Sequence, residues 1–255
     1  MKRVLPMVVA GILCVLSGGV AAKDLTVLTA EWPPYVIEED GKTSGIATEI
    51  VQVMLEKAGI ETQIEVYPFA RAYKMASENP NKMLYPVIRM PLREPLFKWV
   101  GPIFRIKSVL HKLKKRTDIV LNSLDDAKKY RINTTRKAAG HEFLLKHGFE
   151  DQKNLEAVNS NELSVKRLFA GRVDLEASVD LNFMYVAKQL GFSYSDVEQA
   201  LVLFESEVCV VFSHSTHDET VNRVREAFEQ SKADGTVDAV IEKYLKMYQY
   251  QEKCD

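Results

Sequence analysis

The chain has 255 residues, 46% of them hydrophobic and 27% charged, which supplies apolar material for one large or two small cores and excludes a disordered chain. Its 34 lysines and arginines against 35 aspartates and glutamates leave a formal net charge of −1, so the electrostatic footprint of a non-specific nucleic-acid binder is missing. With 12 glycines and 9 prolines it is neither collagen-like nor of low complexity.

Residues 1–22 read as a secretory signal peptide: basic Lys2 and Arg3, an apolar stretch from Val4 through Leu16, then small residues ending at Val20-Ala21-Ala22. The apolar stretch is shorter than the roughly 20 residues that span a bilayer, so cleavage after Ala22 and a periplasmic, secreted location are expected. Cys14 follows bulky Leu13, which does not suit a lipoprotein signal. Cys209 and Cys254 then remain as an even pair in a compartment where disulfides persist, and a Cys209–Cys254 bridge is expected, with two free thiols as the alternative.

The first element is a β-rich run from Leu25 to Thr29, followed by a loop at Glu31-Trp32-Pro33-Pro34-Tyr35, where neither proline can donate to a ladder. Between Gly45 and Gly59 the apolar residues Ile46, Ile50, Val53, Met54 and Ala58 recur at helical spacing, and Gly59 supplies the stop. A strand at Ile64–Tyr67, a helix at Arg71–Ser77 and a strand at Met83–Ile88 complete an α/β lobe. A second unit opens after Gly101-Pro102, with a strand at Arg131–Thr135 running into a helix at about Ala138–His147. A helix over Asn161–Ala170 is then stopped by Gly171 before a strand at Val173–Val179. Val208–Phe212 is a further buried strand. Thr216 and Glu219 form a capping-box pattern ahead of two amphipathic helices broken near Gly235. No low-complexity linker separates the halves, which implies hinge strands. The expected layout is lobe 1 at 23–107, lobe 2 at 108–205, and a return to lobe 1 at 206–255.

No G-x-S-x-G, P-loop or H-E-x-x-H motif is present. His214 and His217 lack a third ligand nearby, and neither a metal nor a cofactor is expected. What stands out is a set of aromatics and arginines in loops after the first-lobe strands, where α/β folds build sites. Trp32 and Tyr35 lie on the Pro33-Pro34 loop, Phe69 and Arg71 open the second helix, and Arg89 and Arg93 flank Met90-Pro91-Leu92. An aromatic wall beside a planar guanidinium suits a small carboxylate-bearing ligand. Composition and spacing alone equally allow the aromatics to fill core or interlobe surface and the arginines to be solvated.

Five segments in order, Leu25–Tyr35 (LTVLTAEWPPY), Gly45–Gly59, Tyr67–Tyr73 (YPFARAY), Arg89–Pro102 (RMPLREPLFKWVGP) and Ala170–Asp174 (AGRVD), resemble the bacterial extracellular solute-binding proteins of family 3, the periplasmic receptors of polar amino acid ABC transporters. The resemblance implies an α/β type II periplasmic binding fold. Two lobes, each a mixed, mainly parallel sheet flanked by helices, are joined by two hinge strands and close over the ligand. It places the carboxylate-binding arginine on Arg93, the aromatic wall on Trp32 with Tyr35 nearby, and a helix-terminus anion turn around Arg136 to Ala139, including Ala138. The acid that takes the ligand's α-amino group falls nearest Asp180. The chain departs from the family pattern at Met90, where threonine is expected, at Lys137, where glycine is expected, and at Ala138, where a hydroxyl residue is expected. With Arg71, Arg89 and Arg93 at hand, a ligand with more than one carboxylate, or a peptide-like one, also fits.

The leading expectation is a monomeric periplasmic binding protein that presents a captured solute to a membrane permease. The same fold serves a stand-alone sensor that hands its closed state to a receptor. A lyase of small carboxylates would need a cleft acid or base, for which Glu31, Glu205 and Asp180 are the candidates.

Overall fold

The structure is a computed structural model describing residues 25–248. The signal peptide, Cys14 and Cys254 lie outside those residues. In chain order the regular elements begin with β1 (Thr26–Thr29), the hairpin β2 (Ile37–Glu39) and β3 (Lys42–Ser44), α1 (Ile46–Lys57) and β4 (Ile64–Val66). Next come α2 (Phe69–Glu78), β5 (Lys82–Ile88), β6 (Phe97–Leu113), β7 (Ile132–Thr135), α3 (Ala139–Lys146), β8 (Leu155–Val158) and α4 (Asn161–Phe169). The chain continues with β9 (Leu175–Val179), α5 (Asp180–Gln189), β10 (Val197–Ser213), α6 (Asp218–Ala233) and α7 (Thr236–Tyr248).

Eight strands form one sheet in the order β4-β1-β5-β10-β6-β9-β7-β8. Pairing is parallel within β4-β1-β5 and within β9-β7-β8, and antiparallel through the middle. The 17-residue strands β6 and β10 pair along their whole length, from Phe97 opposite Ser213 to Leu113 opposite Val197. β5 joins only the C-terminal end of β10, and β9 only the C-terminal end of β6. Each long strand therefore serves the first half of the sheet with one end and the second half with the other.

Helices cover both faces of both halves. In the first half, α1, α6 and α7 bury Ile50, Met54, Val224, Phe228 and Val240 on one face, while Ala72 and Ala76 of α2 pack on Leu28, Leu84 and Val211 of the other. In the second half Leu144 of α3 packs with Ile132 and Leu175, and α4 and α5 pack Val165, Leu168, Phe183 and Val186 against Leu113.

Several expectations are corrected. The unit boundary expected at Gly101-Pro102 lies inside β6, which continues through it. Gly101 adopts φ +134, and a Cβ there would stand 2.9 Å from the Ile103 backbone nitrogen, so a glycine is required. The capping box is not made, because the Thr216 hydroxyl is taken by Ser213 Oγ at 2.8 Å and His217 precedes α6 without a side-chain cap. Asp180 begins a helix instead of sitting in a strand and turn. The expected partner of Cys209, Cys254, lies outside the described residues; Cys209 itself is a fully buried thiol inside β10, and burial pushes its pKa up to about 12.

A charged cluster is buried beneath α5. The register lines up His111 of β6 with Glu176 of β9, both fully buried. The imidazole Nδ1 lies 3.2 Å from Glu176 and Nε2 lies 2.9 Å from Asp180, so each nitrogen faces a carboxylate and the ring carries both protons. Ser164 and Ser178 donate to Glu176 at 2.9 and 2.8 Å, Tyr194 donates to Asp180, and the His111 ring stacks on Phe183 at 4.0 Å. Burial alone would favour the neutral imidazole, but the hydrogen bonds and charges of Asp180 and Glu176 outweigh it and raise the pKa above the ordinary 6.5.

Two predictions follow from this packing. Because the folded state raises the His111 pKa, its contribution to stability is complete below pH 6.5 and is lost as the pH climbs through the raised value. Thermal unfolding from about pH 6 to about pH 9 should show this loss in the wild type and a flatter profile in His111→Gln; parallel profiles would refute the coupling. Gly45→Ala should destabilise by about 2 kcal/mol or more, since residue 45 holds φ +105 and a Cβ would lie 2.7 Å from the carbonyl oxygens of Pro34 and Tyr35. Denaturant titration checks this, and an unchanged midpoint would contradict it.

Candidate functional site

The carboxyl ends of β1, β5, β7 and β9 converge on a cavity of about 180 Å³ between the two halves of the sheet. Loops that leave parallel strands at this end are where α/β sheets bind ligands. The volume suits a small solute and falls below the usual range for drug-sized ligands. From the first half come Glu31 and Trp32 after β1, Phe69 at the start of α2, Ile88 of β5 and Arg93. From the second half come Ser108, the turn from Thr135 to Gly140, Asn161, Val179 and Asn182.

Arg93 is held by its surroundings. A turn with Arg93 N–H donating to Met90 O at 2.8 Å brings it back over the end of β5. Its guanidinium donates to Ile88 O at 3.3 Å and lies 5.5 Å from the centroids of both Phe69 and Tyr73. At 5% exposure it is a buried cation facing a cavity. Its partner across the gap is Glu142 of α3, at 3.0 Å.

Opposite Arg93, the first turn of α3 faces the cavity through Ala139 and Gly140. Ala138 precedes it without a capping side chain, leaving the helix N-terminal amide groups to the cavity. Lys137 holds φ +61, a conformation glycine adopts without strain. The turn is secured by His141, which accepts the Lys137 N–H at Nδ1 (3.2 Å) and so presents Nε2–H to Asp151, also at 3.2 Å. The helix end thus keeps its direction although the glycine of the family pattern is missing.

Trp32 lies half-buried on the cavity wall, its ring 4.5 Å from Tyr35, which in turn stacks on Phe104 at 4.8 Å. Tyr35 is 4% exposed and backs the wall without lining it. Glu31 lines the rim, where partial burial first, then the charges of Glu38 and Glu162, raise its pKa.

Of the residues singled out from sequence, Glu31, Trp32, Phe69, Arg93 and Ala138 come together around the cavity, and Tyr35 supports Trp32. Three do not reach it. Arg71 is exposed and lies over the Tyr67 ring at 4.5 Å. Arg89 is engaged outside the cavity by Glu94 at 2.6 Å and Glu207 at 3.6 Å, which keep its pKa high. Asp180 turns into the core toward His111, and its neighbour Val179 lines the cavity in its place. The lyase candidates divide likewise: Glu31 lines the cavity, whereas Glu205 is an exposed residue of β10 beside Lys107.

Sequence reasoning missed Asn161, Asn182, Thr135 and Ser108. Asn161 accepts from Thr135 Oγ1 at 2.6 Å, and Asn182 donates to Pro33 O across the gap. The signal for Asn182 was its place two residues beyond Asp180, in the segment where a polar cleft residue was sought. Among the described residues there is no cluster of three or more metal-ligating side chains, and no helix is long and apolar enough to cross a membrane.

The arrangement provides a buried guanidinium, helix amide groups, hydroxyls and carboxamides, and an aromatic wall, which is the equipment to hold a small polar anion or zwitterion. Known proteins agree with the fold. The chain is 23% identical to the "Probable amino-acid-binding protein YxeM" of Bacillus subtilis (strain 168), with 96% of each covered. A histidine kinase sensor domain with similarity to periplasmic binding proteins superposes with a TM-score of 0.77 at 16% identity, covering 86% of this chain and 95% of that one. A histidine-bound substrate-binding protein of an ABC uptake transporter from Streptococcus pneumoniae superposes with a TM-score of 0.74 at 14% identity, covering 87% and 92%. The family model of the bacterial extracellular solute-binding proteins, family 3, matches residues 25–247, nearly the whole described chain, and the protein belongs to that family.

Proposed function

We propose that the protein captures a small polar solute bearing a carboxylate, an amino acid or a near relative, in the cleft between its two lobes, and presents the closed form to an ABC-type membrane permease. The observation that carries this reading is Arg93: a buried guanidinium on the cavity lining, bonded to Ile88 O and Glu142, opposite the uncapped N-terminus of α3. Lobe 1 comprises residues 23–107 and 206–255, lobe 2 comprises 108–205, and closure bends the two long strands between them. The protein acts as a monomer in the periplasm after loss of residues 1–22.

The names of the relatives support an amino acid as the solute: the Bacillus protein is called amino-acid-binding, and the Streptococcus protein holds histidine. Asp180 is not the group that takes an α-ammonium here, because its carboxylate is committed to His111 and Tyr194. Glu31 is the carboxylate lining the cavity and is our candidate for the cationic end of a zwitterion. The function is capture and release, without turnover. The likeness to a kinase sensor domain keeps a second reading in view, in which the closed form is read by a receptor.

A thermal-shift screen of the mature protein against amino acids, dicarboxylates and short peptides tests the reading. A solute at a hundredfold over its Kd stabilises by about 2.7 kcal/mol, a shift of about 5 to 10 °C for a chain of this size. Arg93→Ala should fold and lose about 2 to 4 kcal/mol of solute binding by isothermal titration; unchanged affinity would remove Arg93 from the site. Trp32→Ala should weaken binding through lost ring contact, and a variant that fails to fold would instead make Trp32 part of the core.

A further inference from the structure

Arg93 already has a carboxylate. Glu142 reaches it from the first turn of α3, on the other half of the sheet, with Oε2 3.0 Å from a terminal guanidinium nitrogen of this cavity-lining residue. The two residues belong to opposite halves of the sheet, and their sequence separation of 49 shows that no local turn forces the contact. Arg93 is nearly sealed from water, with 7% of its side chain exposed, while Glu142 keeps 38%. Within its own lobe the guanidinium has one carbonyl, Ile88 O, and two aromatic rings, which leave its charge unmatched. A buried cation without a counter-charge is costly, so the incoming carboxylate has a large penalty to relieve.

We propose that Glu142 is a positioning residue of the binding site, whose carboxylate pairs with the guanidinium a solute carboxylate would also use and draws the α3 lobe onto Arg93. The site then closes on itself, and a solute carboxylate enters by displacing Glu142 or by taking the guanidinium donors that Glu142 and Ile88 leave over. Two other contacts between the halves, Asn182 to Pro33 O and the Tyr185 ring on Tyr248, are neutral, so among the described residues the Arg93–Glu142 ion pair is the interlobe contact that responds to charge and salt. The inference rests on the cleft reading above, but its test needs no solute, so the two can fail separately.

The measurement is the interlobe distance in solute-free mature protein, refolded from denaturant to strip any carried-over molecule. Spin labels are placed through Glu78→Cys and Lys153→Cys, both exposed, with Cys254→Ser; Cys209 is buried and remains unlabelled. The expected result is a dominant short distance in this background at low salt. Glu142→Gln, which keeps the shape and removes the charge, should cut the ratio of short to long populations at least about fivefold, with circular dichroism unchanged. Raising salt should reproduce that loss in the background protein and add little in Glu142→Gln. Retention of the short distance in Glu142→Gln at low salt, or a salt response equal in both proteins, would overturn the proposal.

Discussion

Two strands carry the whole architecture. β6 and β10 pair over their full 17-residue lengths, and among the described residues the chain passes between the two halves of the sheet only along them. A single strand would act as a swivel, whereas two hydrogen-bonded strands restrict relative motion to bending and twisting of a ribbon. The register shifts at Gln199/Leu201, Val202/Phe204 and Val208/Val210 fall along that ribbon, and bulges are where a ladder yields and turns. The cavity lies beside this ribbon, so the contacts that cross it act with leverage on the whole molecule.

The buried charges follow from the same plan. His111, on the C-terminal part of β6, fastens to Glu176 of β9 and to Asp180 at the start of α5. That cluster fixes the origin of α5, and the same first turn presents Asn182 to the cavity and to Pro33. Asp180 therefore serves the site from behind, by orienting the helix, and the carboxylate exposed to the cavity comes from Glu31 at the opposite rim. Two of the departures from the family pattern meet in the turn before α3, where Lys137 holds φ +61 and Ala138 offers no hydroxyl; on the strand beside it Val179 lines the cavity while Asp180 turns into the core.

Much of the fold was legible because its elements are amphipathic in the simple sense. α1 announces itself through Ile46, Ile50 and Met54 on one face and Gly59 beyond its end; the first-lobe strands are short apolar runs bounded by turns. β6 was hidden because Gly101-Pro102 is the usual mark of a break, and only the backbone of Cys209, packed against the bare Gly101 Cα, shows why the strand can pass through. α5 was hidden for the opposite reason: it is buried on nearly every side, through Leu181, Phe183, Met184, Val186 and Ala187, so no periodicity survives in the sequence. At the cavity, Trp32, Phe69 and Arg93 were singled out by their place near the carboxyl ends of strands and by the family resemblance, since residue type alone equally allowed core or solvated roles. Asp180 lies away from the cavity lining because Glu176 and Asp180 both turn toward His111, a long-range partner that spacing cannot reveal. Glu142 lay in plain view as an ordinary helix carboxylate until its partner was known.

The order of strands in the sheet also bears on how the protein comes into being. The second half is continuous in sequence, while the first half is assembled from the opening segment, through β5 and the start of β6, and from the closing one, which supplies the end of β10 together with α6 and α7. The face of α1 that meets Val224, Phe228 and Val240 has no cover until those helices exist. A chain emerging N-terminus first from the ribosome thus holds its opening β-α units, with apolar surface bare, while the intervening hundred or so residues are made. Among the described helices α6 and α7 are the last to be synthesised, and the apolar face of α1 in the first half is covered only once both exist.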